Sequence, residues 1–333
     1  MAPQPQRLTV TRRAWPLRRP FAMSDGARMV ADVVVAELFD GNARGRGECV
    51  PLRDYGESVD SVVAALEAMK GPIFSGLNRE TLQDAMPPGA ARNALDCAFW
   101  DIDAKRTYCS VGEMVGLGSP RSVVTSFTLA CDTPDAMAEQ AAAHRSRPML
   151  TVRLGGEGDI ERVRAVRDAA PASRLIVDAC GSWTEAQLHA FMPVMVELRV
   201  ELIEQPLPAG ADDALAGMAH PIPLCADESC RTLADLDRLA GRYEAIAIKL
   251  DKLGGLTAAQ AMVAEARRRG FRLTAGGVIG TSLGAAPALL VAQQADIVDL
   301  DGPLHLAIDR GAALRYDAST IHPAEPNLWG GCA

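Results

Sequence analysis

The sequence has no apolar run approaching the ~20 residues that a membrane-spanning helix needs, which argues against a place in the bilayer. Aromatic residues make up only 5% of the chain, and no basic run interleaves with them. Together with a formal net charge of −8 and a pI near 5.3, this argues against nucleic acid or an anionic membrane surface as a partner. The eight cysteines include no Cys-x-x-Cys pair, which argues against a structural zinc knuckle. They are scattered, several lie inside apolar runs, and a chain of this size needs no disulfides, so reduced and mostly buried thiols are expected. The opening residues, Met1-Ala-Pro-Gln-Pro-Gln-Arg7, lack the apolar core of a signal peptide. A reducing cytoplasm is the expected location.

What is present is an ordinary globular composition, 48% hydrophobic and 23% charged over 333 residues. That length allows about two domains, or one barrel with an addition, at roughly 150 residues per domain. The first ~115 residues read as α+β. Ala31–Phe39 and Arg44–Val50 flank Asp40-Gly41-Asn42, the signature of a hairpin. Val59, Val62, Val63, Leu66 and Met69 recur at helical spacing, as do Ala94, Leu95, Ala98, Phe99 and Ile102 after Pro87-Pro88-Gly89. From about Ser122 the pattern becomes periodic. Short β-branched runs centre near Ser126, Thr151, Ile176, Leu202, Leu224, Ala247, Leu273 and Val298, in steps of 22 to 26 residues, with helix-like segments between them. Eight such units predict an α/β fold of the (β/α)8 TIM type. An open doubly wound sheet is the alternative, and closure is favoured because it removes the sheet edges.

In such a barrel the reacting groups sit at the C-terminal ends of the strands. Three runs there end in carboxylates: Arg174-Leu-Ile-Val-Asp178, Glu201-Leu-Ile-Glu204 and Pro223-Leu-Cys-Ala-Asp227. A fourth, Glu244-Ala-Ile-Ala-Ile-Lys249, ends in a lysine. Three carboxylates converging on a dry barrel mouth repel one another unless a cation neutralises them, and hard oxygen ligands select Mg²⁺ or Mn²⁺ over zinc. A lysine beside such a cation is pushed toward a lower pKa and so toward the work of a general base. The alternatives for these groups are a helix-capping acid, an arginine-paired acid and a solvent-exposed lysine at a strand end. Lys252 reads as a structural loop lysine.

These motifs, Val177-Asp178-Ala179, Ile203-Glu204-Gln205-Pro206, Ala226-Asp227-Glu228-Ser229 and Ile248-Lys249-Leu250-Asp251-Lys252, resemble the muconate-lactonising branch of the enolase superfamily. Asp299-Leu300-Asp301 is similar to the Asp-x-Asp motif of its dipeptide epimerases of the L-Ala-D/L-Glu type, and Gly47-Glu48-Cys49 and Tyr55-Gly56-Glu57-Ser58 to their N-terminal capping domain. The resemblance covers nearly the whole chain. It implies a capping domain over residues 1–115, completed by the tail 315–333, and a catalytic barrel over 116–314. It also implies Mg²⁺ held by Asp178, Glu204 and Asp227, a substrate carboxylate on that metal, and proton abstraction α to the carboxylate to give a metal-stabilised enediolate. Asp299 and Asp301 would take the α-ammonium of a dipeptide. Family members often form homo-oligomers, so the resemblance implies a homo-oligomer here.

Two departures stand out. Family epimerases carry Lys-x-Lys at the end of strand two, and here Thr151 and Arg153 replace both lysines. Arginine stays protonated, with a pKa above ~12, so it is a poor proton shuttle. Three readings are open at this stage: Arg153 acts as the second acid/base; Lys249 runs one-base lyase or cycloisomerase chemistry with Arg153 as a clamp; or the barrel binds metal and ligand with little turnover. The second departure is Asp25, which stands where glutamate-selective enzymes carry arginine, so a neutral or cationic side chain on the substrate is expected. The glycine-rich stretch Gly276–Gly284 lacks a P-loop lysine and reads as a loop backing the substrate.

Overall fold

A computed structural model of the chain describes residues 6–23, 26–41 and 43–332. Strands β1 (Arg7–Met23), β2 (Gly26–Asp40) and β3 (Ala43–Cys49) form an antiparallel sheet in that order. The expected hairpin is present, with Asp40 paired to Ala43, while Asn42 lies outside the described residues. β1 is the strand that periodicity does not reveal. Its 17 residues include five arginines and two prolines, and its register shifts between Pro16 and Phe21, where proline cannot donate to the ladder.

Four helices follow: α1 (Val59–Ala68), α2 (Lys70–Phe74), α3 (Arg79–Ala85) and α4 (Ala90–Thr107). Ser58 starts α1 by accepting from the Ser61 N–H, and the Ser61 side chain returns to the Ser58 N–H, a capping box. α4 carries the expected apolar face and is buried along nearly its whole length. It lies so close to β3 that a Cβ on Gly47 would sit 2.0 Å from the Ala94 carbonyl oxygen, so only glycine permits the approach. Leu38, Leu66, Leu82, Leu95 and Ile102 fill the core between this sheet and its helices.

After α5 (Val111–Met114) and β4 (Val123–Val124) the chain enters the periodic part. β5 (Phe127–Leu129), α6 (Pro134–Ala143), β6 (Met149–Arg153), α7 (Asp159–Ala169), β7 (Arg174–Asp178), α8 (Glu185–Glu197) and β8 (Val200–Glu204) alternate as expected. β9 (Leu224–Ala226) is reached through only a 3₁₀ turn at Asp212–Leu215. Then come α9 (Asp235–Leu239), β10 (Ala245–Ile248), α10 (Leu250–Leu253), α11 (Leu256–Arg268), β11 (Arg272–Gly276), α12 (Ser282–Ala292) and β12 (Ile297–Asp299). β5 to β12 form one eight-stranded sheet in chain order, every pair parallel. The Ser126 N–H donates to the Val298 carbonyl at 2.9 Å, which joins the two ends into a near-closed barrel. Met149, Ile176, Leu202, Cys225, Ala247 and Ile297 fill the interior.

β13 (Tyr316–Asp317) and β14 (Thr320–Ile321) pair with β4. The tail then returns to the N-terminal helices. Trp329 Nε1 donates to the Cys97 carbonyl at 3.0 Å, and the Gly330 N–H donates to Asp101 at 2.8 Å. All eight cysteines are free, and Cys49, Cys97, Cys225 and Cys230 are buried. Among the described residues no helix is long and apolar enough to cross a membrane.

Candidate active site

The periodic strands deliver their last residues to one mouth. β6 ends on Arg153, β7 on Asp178 and β8 on Glu204, and the pairing sets Arg153 beside Asp178 and Asp178 beside Glu204. Asp227 follows β9 directly, Lys249 follows β10, and β12 ends on Asp299. Arg153, Asp178, Asp227, Lys249, Asp299 and Asp301 line a cavity of about 110 Å³, over which Phe21, Leu52 and Tyr55 reach from the N-terminal part. β6 and β10 are four places apart in the eight-strand ring, so Arg153 and Lys249 enter the mouth from opposite sides.

Asp178, Glu204 and Asp227 are all buried. Lys249 Nζ lies between two of them, donating to Glu204 Oε1 at 3.2 Å and Asp227 Oδ2 at 2.5 Å. Lys252, read from the sequence as a loop lysine, is instead buried at 1% exposure with its ammonium on Asp227. It donates to Asp227 Oδ1 at 2.7 Å and to the Asp227 and Ala247 carbonyls at 2.7 and 2.8 Å. Burial pushes the Glu204 carboxyl well above its usual range, with Asp178 and Asp227 adding to the effect against Lys249. Burial also disfavours charge on Asp227, but Lys249 and Lys252 outweigh it and hold that carboxyl low. Glu228 is pushed up to about 7 by burial, Asp227 and Asp178, and its Oε2 is buried without a hydrogen-bond partner.

The two cations differ in character. Burial opposes the charge on Lys249, yet Asp227, Glu204, Asp178 and Glu228 hold the ammonium well above its ordinary pKa. Burial likewise opposes the Arg153 charge, but Cys180, Asp178, Glu228 and Glu204 raise its pKa further, so it stays a guanidinium. Lys249 also needs the glycine opposite it: a Cβ on Gly276 would come within 2.8 Å of Lys249 Cε.

On the β5–β12 side, hydroxyl groups surround the paired aspartates. Ser126 Oγ donates to Asp299 Oδ1 at 2.6 Å, and Thr151 Oγ1 lies 3.2 Å from Asp299 Oδ2 and 2.9 Å from Ser126 Oγ. Burial and the neighbouring Asp301 push the Asp299 carboxyl up to about 6. Asp301 accepts from the Thr128 N–H at 2.6 Å and contacts His305 Nε2 at 2.9 Å. Burial opposes its charge, but His305 and Thr128 hold it low. Ser126, Thr128 and His305 were not read as site residues from the sequence; the i, i+4 spacing of Asp301 and His305 was the available signal. Asp25 lies outside the described residues.

Among the described residues no three His, Cys, Asp or Glu side chains stand close enough together to hold a metal ion as placed. The donor chemistry nevertheless fits a hard cation. The carboxylates are buried, Lys249 already holds positive charge between Glu204 and Asp227, and Glu228 keeps an unpartnered oxygen beside them.

Residues 6–116 match the mandelate racemase/muconate lactonizing enzyme N-terminal domain, and residues 136–317 the enolase C-terminal domain-like family. The chain belongs to the mandelate racemase/muconate lactonizing enzyme family of the enolase superfamily. Within this family it is 44% identical to L-Ala-D/L-Glu epimerase from Escherichia coli over 311 residues, 93% of this chain and 97% of the relative. It is also similar to a solved structure of an enolase family member from Agrobacterium tumefaciens with homology to dipeptide epimerases, which has bound sodium and L-Ala-L-Glu. That likeness has a TM-score of 0.96 and 47% identity, covering 98% of this chain and 100% of the other. A dipeptide epimerase from Methylococcus capsulatus complexed with Mg and L-Arg-D-Lys aligns at a TM-score of 0.88 and 28% identity, covering 97% and 98% of the two chains. The mandelate racemase/muconate lactonizing frame accounts for the two-part architecture, a sheet-and-helix cap over the mouth of a barrel.

Proposed function

We propose that this chain is an epimerase that removes the proton α to a carboxylate, acting on a dipeptide. The observation that carries the reading is the opposition of Lys249 and Arg153 across a cavity floored by buried carboxylates. Asp178, Glu204 and Asp227 would hold Mg²⁺, with Mn²⁺ compatible with the same oxygen donors. Such an ion would supply Lewis-acid stabilisation of the negative charge that develops on the substrate carboxylate. Lys249, whose ammonium form such an ion would disfavour, would act as the base that takes the α-proton on one face. Arg153 covers the other face, where its positive charge would steady the enediolate and one of its N–H groups would deliver the proton to the α-carbon, the guanidinium being restored by a proton from solvent. Asp299, Asp301 and Thr151 receive the amino end of the substrate. Phe21, Leu52 and Tyr55 keep water from the mouth.

The competing reading, one-base lyase or cycloisomerase chemistry by Lys249 alone, rests on arginine standing where a second lysine would shuttle the proton, and the epimerases among its relatives do not favour it. Incubating the Mg²⁺-loaded protein with a dipeptide panel in D₂O separates the two. Deuterium at the α-carbon with inversion supports the epimerase. Exchange or elimination without inversion supports the one-base reading, and no reaction on any dipeptide overturns both. The panel should include Ala-Glu and Ala-Lys. Asp25 leads to faster turnover of Ala-Lys, and a clear preference for Ala-Glu would remove that expectation. The proposed partner is a small carboxylate, and the acidic net charge supports no nucleic acid.

A further inference from the structure

A cavity of about 460 Å³ shares no lining residue with the reaction cavity. Three arginines from separate parts of the chain line it, Arg13 of β1, Arg46 of β3 and Arg310 beyond the last barrel strand, and no acidic side chain does. The Trp15 ring forms part of its wall, with the Arg310 guanidinium 5.5 Å from the ring centre. Arg13 pairs with Val33 and Arg46 with Glu37 across the sheet, so both stand on the face that Val33 and Val35 turn to the barrel. The three side chains are only partly satisfied. Arg13 is exposed and makes no hydrogen bond or ion pair among the described residues. Arg46 donates through Nη2 to the Asn327 and Leu328 carbonyls, both at 2.6 Å. Arg310 donates through Nε to Thr281 Oγ1 and through Nη2 to Glu48 Oε2, both at 2.6 Å. Nη1 of Arg46 and of Arg310 has no partner among the described residues. Burial lowers the Arg46 pKa, and the like charges of Arg44 and Arg310 add to the fall against Asp101 and Glu37.

Guanidinium groups that converge from three directions with N–H groups to spare suit an anion with several oxygens; a carboxylate is already satisfied by one planar fork. The volume exceeds what a bare phosphate fills and leaves room for an organic group against Trp15. We infer that this cavity binds the phosphoryl group of a small organic phosphate, and that its occupancy is felt at the barrel mouth. The route is short. Glu48 accepts from the Thr281 N–H at 2.7 Å and from its hydroxyl at 2.6 Å. Thr281 caps α12 and ends the turn whose Gly277, Val278 and Ile279 line the reaction cavity. An anion beside Arg310 draws the guanidinium off Glu48 and Thr281, which loosens that turn and slows turnover.

The test uses the full-length Mg²⁺-loaded protein and reads binding and backbone protection, so it stands apart from the epimerase reading. Calorimetric titration with inorganic phosphate, adenosine monophosphate and adenosine measures the site, and amide hydrogen exchange over residues 277–284 measures the coupling. Phosphate is expected to bind, the nucleotide to bind more tightly, and adenosine not to bind. Arg13→Glu, a change at an exposed side chain, should melt near the parent temperature and weaken the nucleotide at least tenfold. Saturating nucleotide should speed exchange of the Thr281 amide at least threefold in the parent and leave it unchanged in Arg13→Glu. Equal nucleotide affinity in parent and variant would put the bound anion elsewhere and overturn the site, as would no binding of either anion at millimolar concentration. Adenosine binding as tightly as its monophosphate overturns the phosphoryl reading. Binding that Arg13→Glu weakens, with Thr281 exchange unmoved by the ligand, keeps the site and overturns its link to the mouth.

Discussion

One added methyl group at Gly276 would reach into the space that Lys249 occupies, 2.8 Å from its Cε and 3.0 Å from its Cγ. The crowded atoms belong to a flexible side chain and not to backbone, so the fold can absorb the change by moving the lysine. Gly276→Ala should therefore melt near the parent temperature yet lose at least tenfold in α-proton exchange. A variant that melts much earlier would show the crowding falls on the barrel instead. Across the mouth, Arg153→Lys would replace a group that does not titrate with one that does. The ratio of inversion to exchange should rise in that variant; loss of exchange altogether would mark Arg153 as a clamp whose planar fork cannot be replaced. These two positions also show what was legible in the site. The three carboxylates and Lys249 could be read because each ends or directly follows its own strand, so a period fixes their place. Ser126, Thr128 and His305 could not, because Ser126 and Thr128 meet Asp299 and Asp301 only through contacts 171 to 173 residues apart, made when the ring closes. Lys252 was placed in a loop because a lysine four residues past a strand gives no sign that a turn of helix will fold it back onto Asp227.

At the scale of elements, the regular half of the chain was far more legible than the first. A parallel barrel strand is buried on both faces and reads as an apolar run, and eight of them repeat a unit. β1 has neither property: it pairs with β2 over nearly its whole length, but its arginines face outward and its prolines interrupt the alternation. The link between β8 and β9, a 3₁₀ turn in place of a helix, shortens the period there and matches the shortest step between runs. The seam of the N-terminal part is the approach of β3 to α4, and it depends on two glycines. A Cβ on Gly45 would lie 2.2 Å from the Ala98 carbonyl oxygen and one on Gly47 2.0 Å from that of Ala94. Here the obstacle is helix backbone, which cannot swing aside. Gly47→Ala should cost about 1–3 kcal/mol or more by overpacking, read as a lower denaturant midpoint, with the barrel's own spectroscopic signal less affected. An unchanged midpoint would mean that β3 can slide on α4 freely.

The whole molecule is joined at a carboxyl. Asp251, two residues beyond Lys249 on the barrel, accepts from the Val50 N–H at 3.0 Å and from Asn93 Nδ2 at 2.8 Å, both in the N-terminal part. It lines a cavity of only about 30 Å³ with Glu48 and Cys49. Burial pushes its pKa up to about 7, with Glu57 and Glu48 adding to the shift, against the hydrogen bonds from Asn93 and Val50. In the unfolded chain the same group titrates near ~3.9. Below about pH 4 it is protonated in both states and contributes no pH dependence. Between about 4 and 7 the unfolded chain ionises while the folded protein keeps the proton, so stability falls as pH rises. Above about 7 both forms are ionised and the penalty is constant, at most about 4 kcal/mol and less where water in the cavity screens the charge. Both donors meet the same oxygen, Oδ1, so asparagine can accept from both and carries no charge to bury. Asp251→Asn should thus match the parent near pH 4 and become the more stable of the two by pH 8, the gap opening through the window between. Denaturant midpoints of the two proteins at pH 4, 6 and 8 decide it: parallel curves would show that Asp251 ionises in the folded protein as easily as in water, and that the seam between cap and barrel does not depend on its proton.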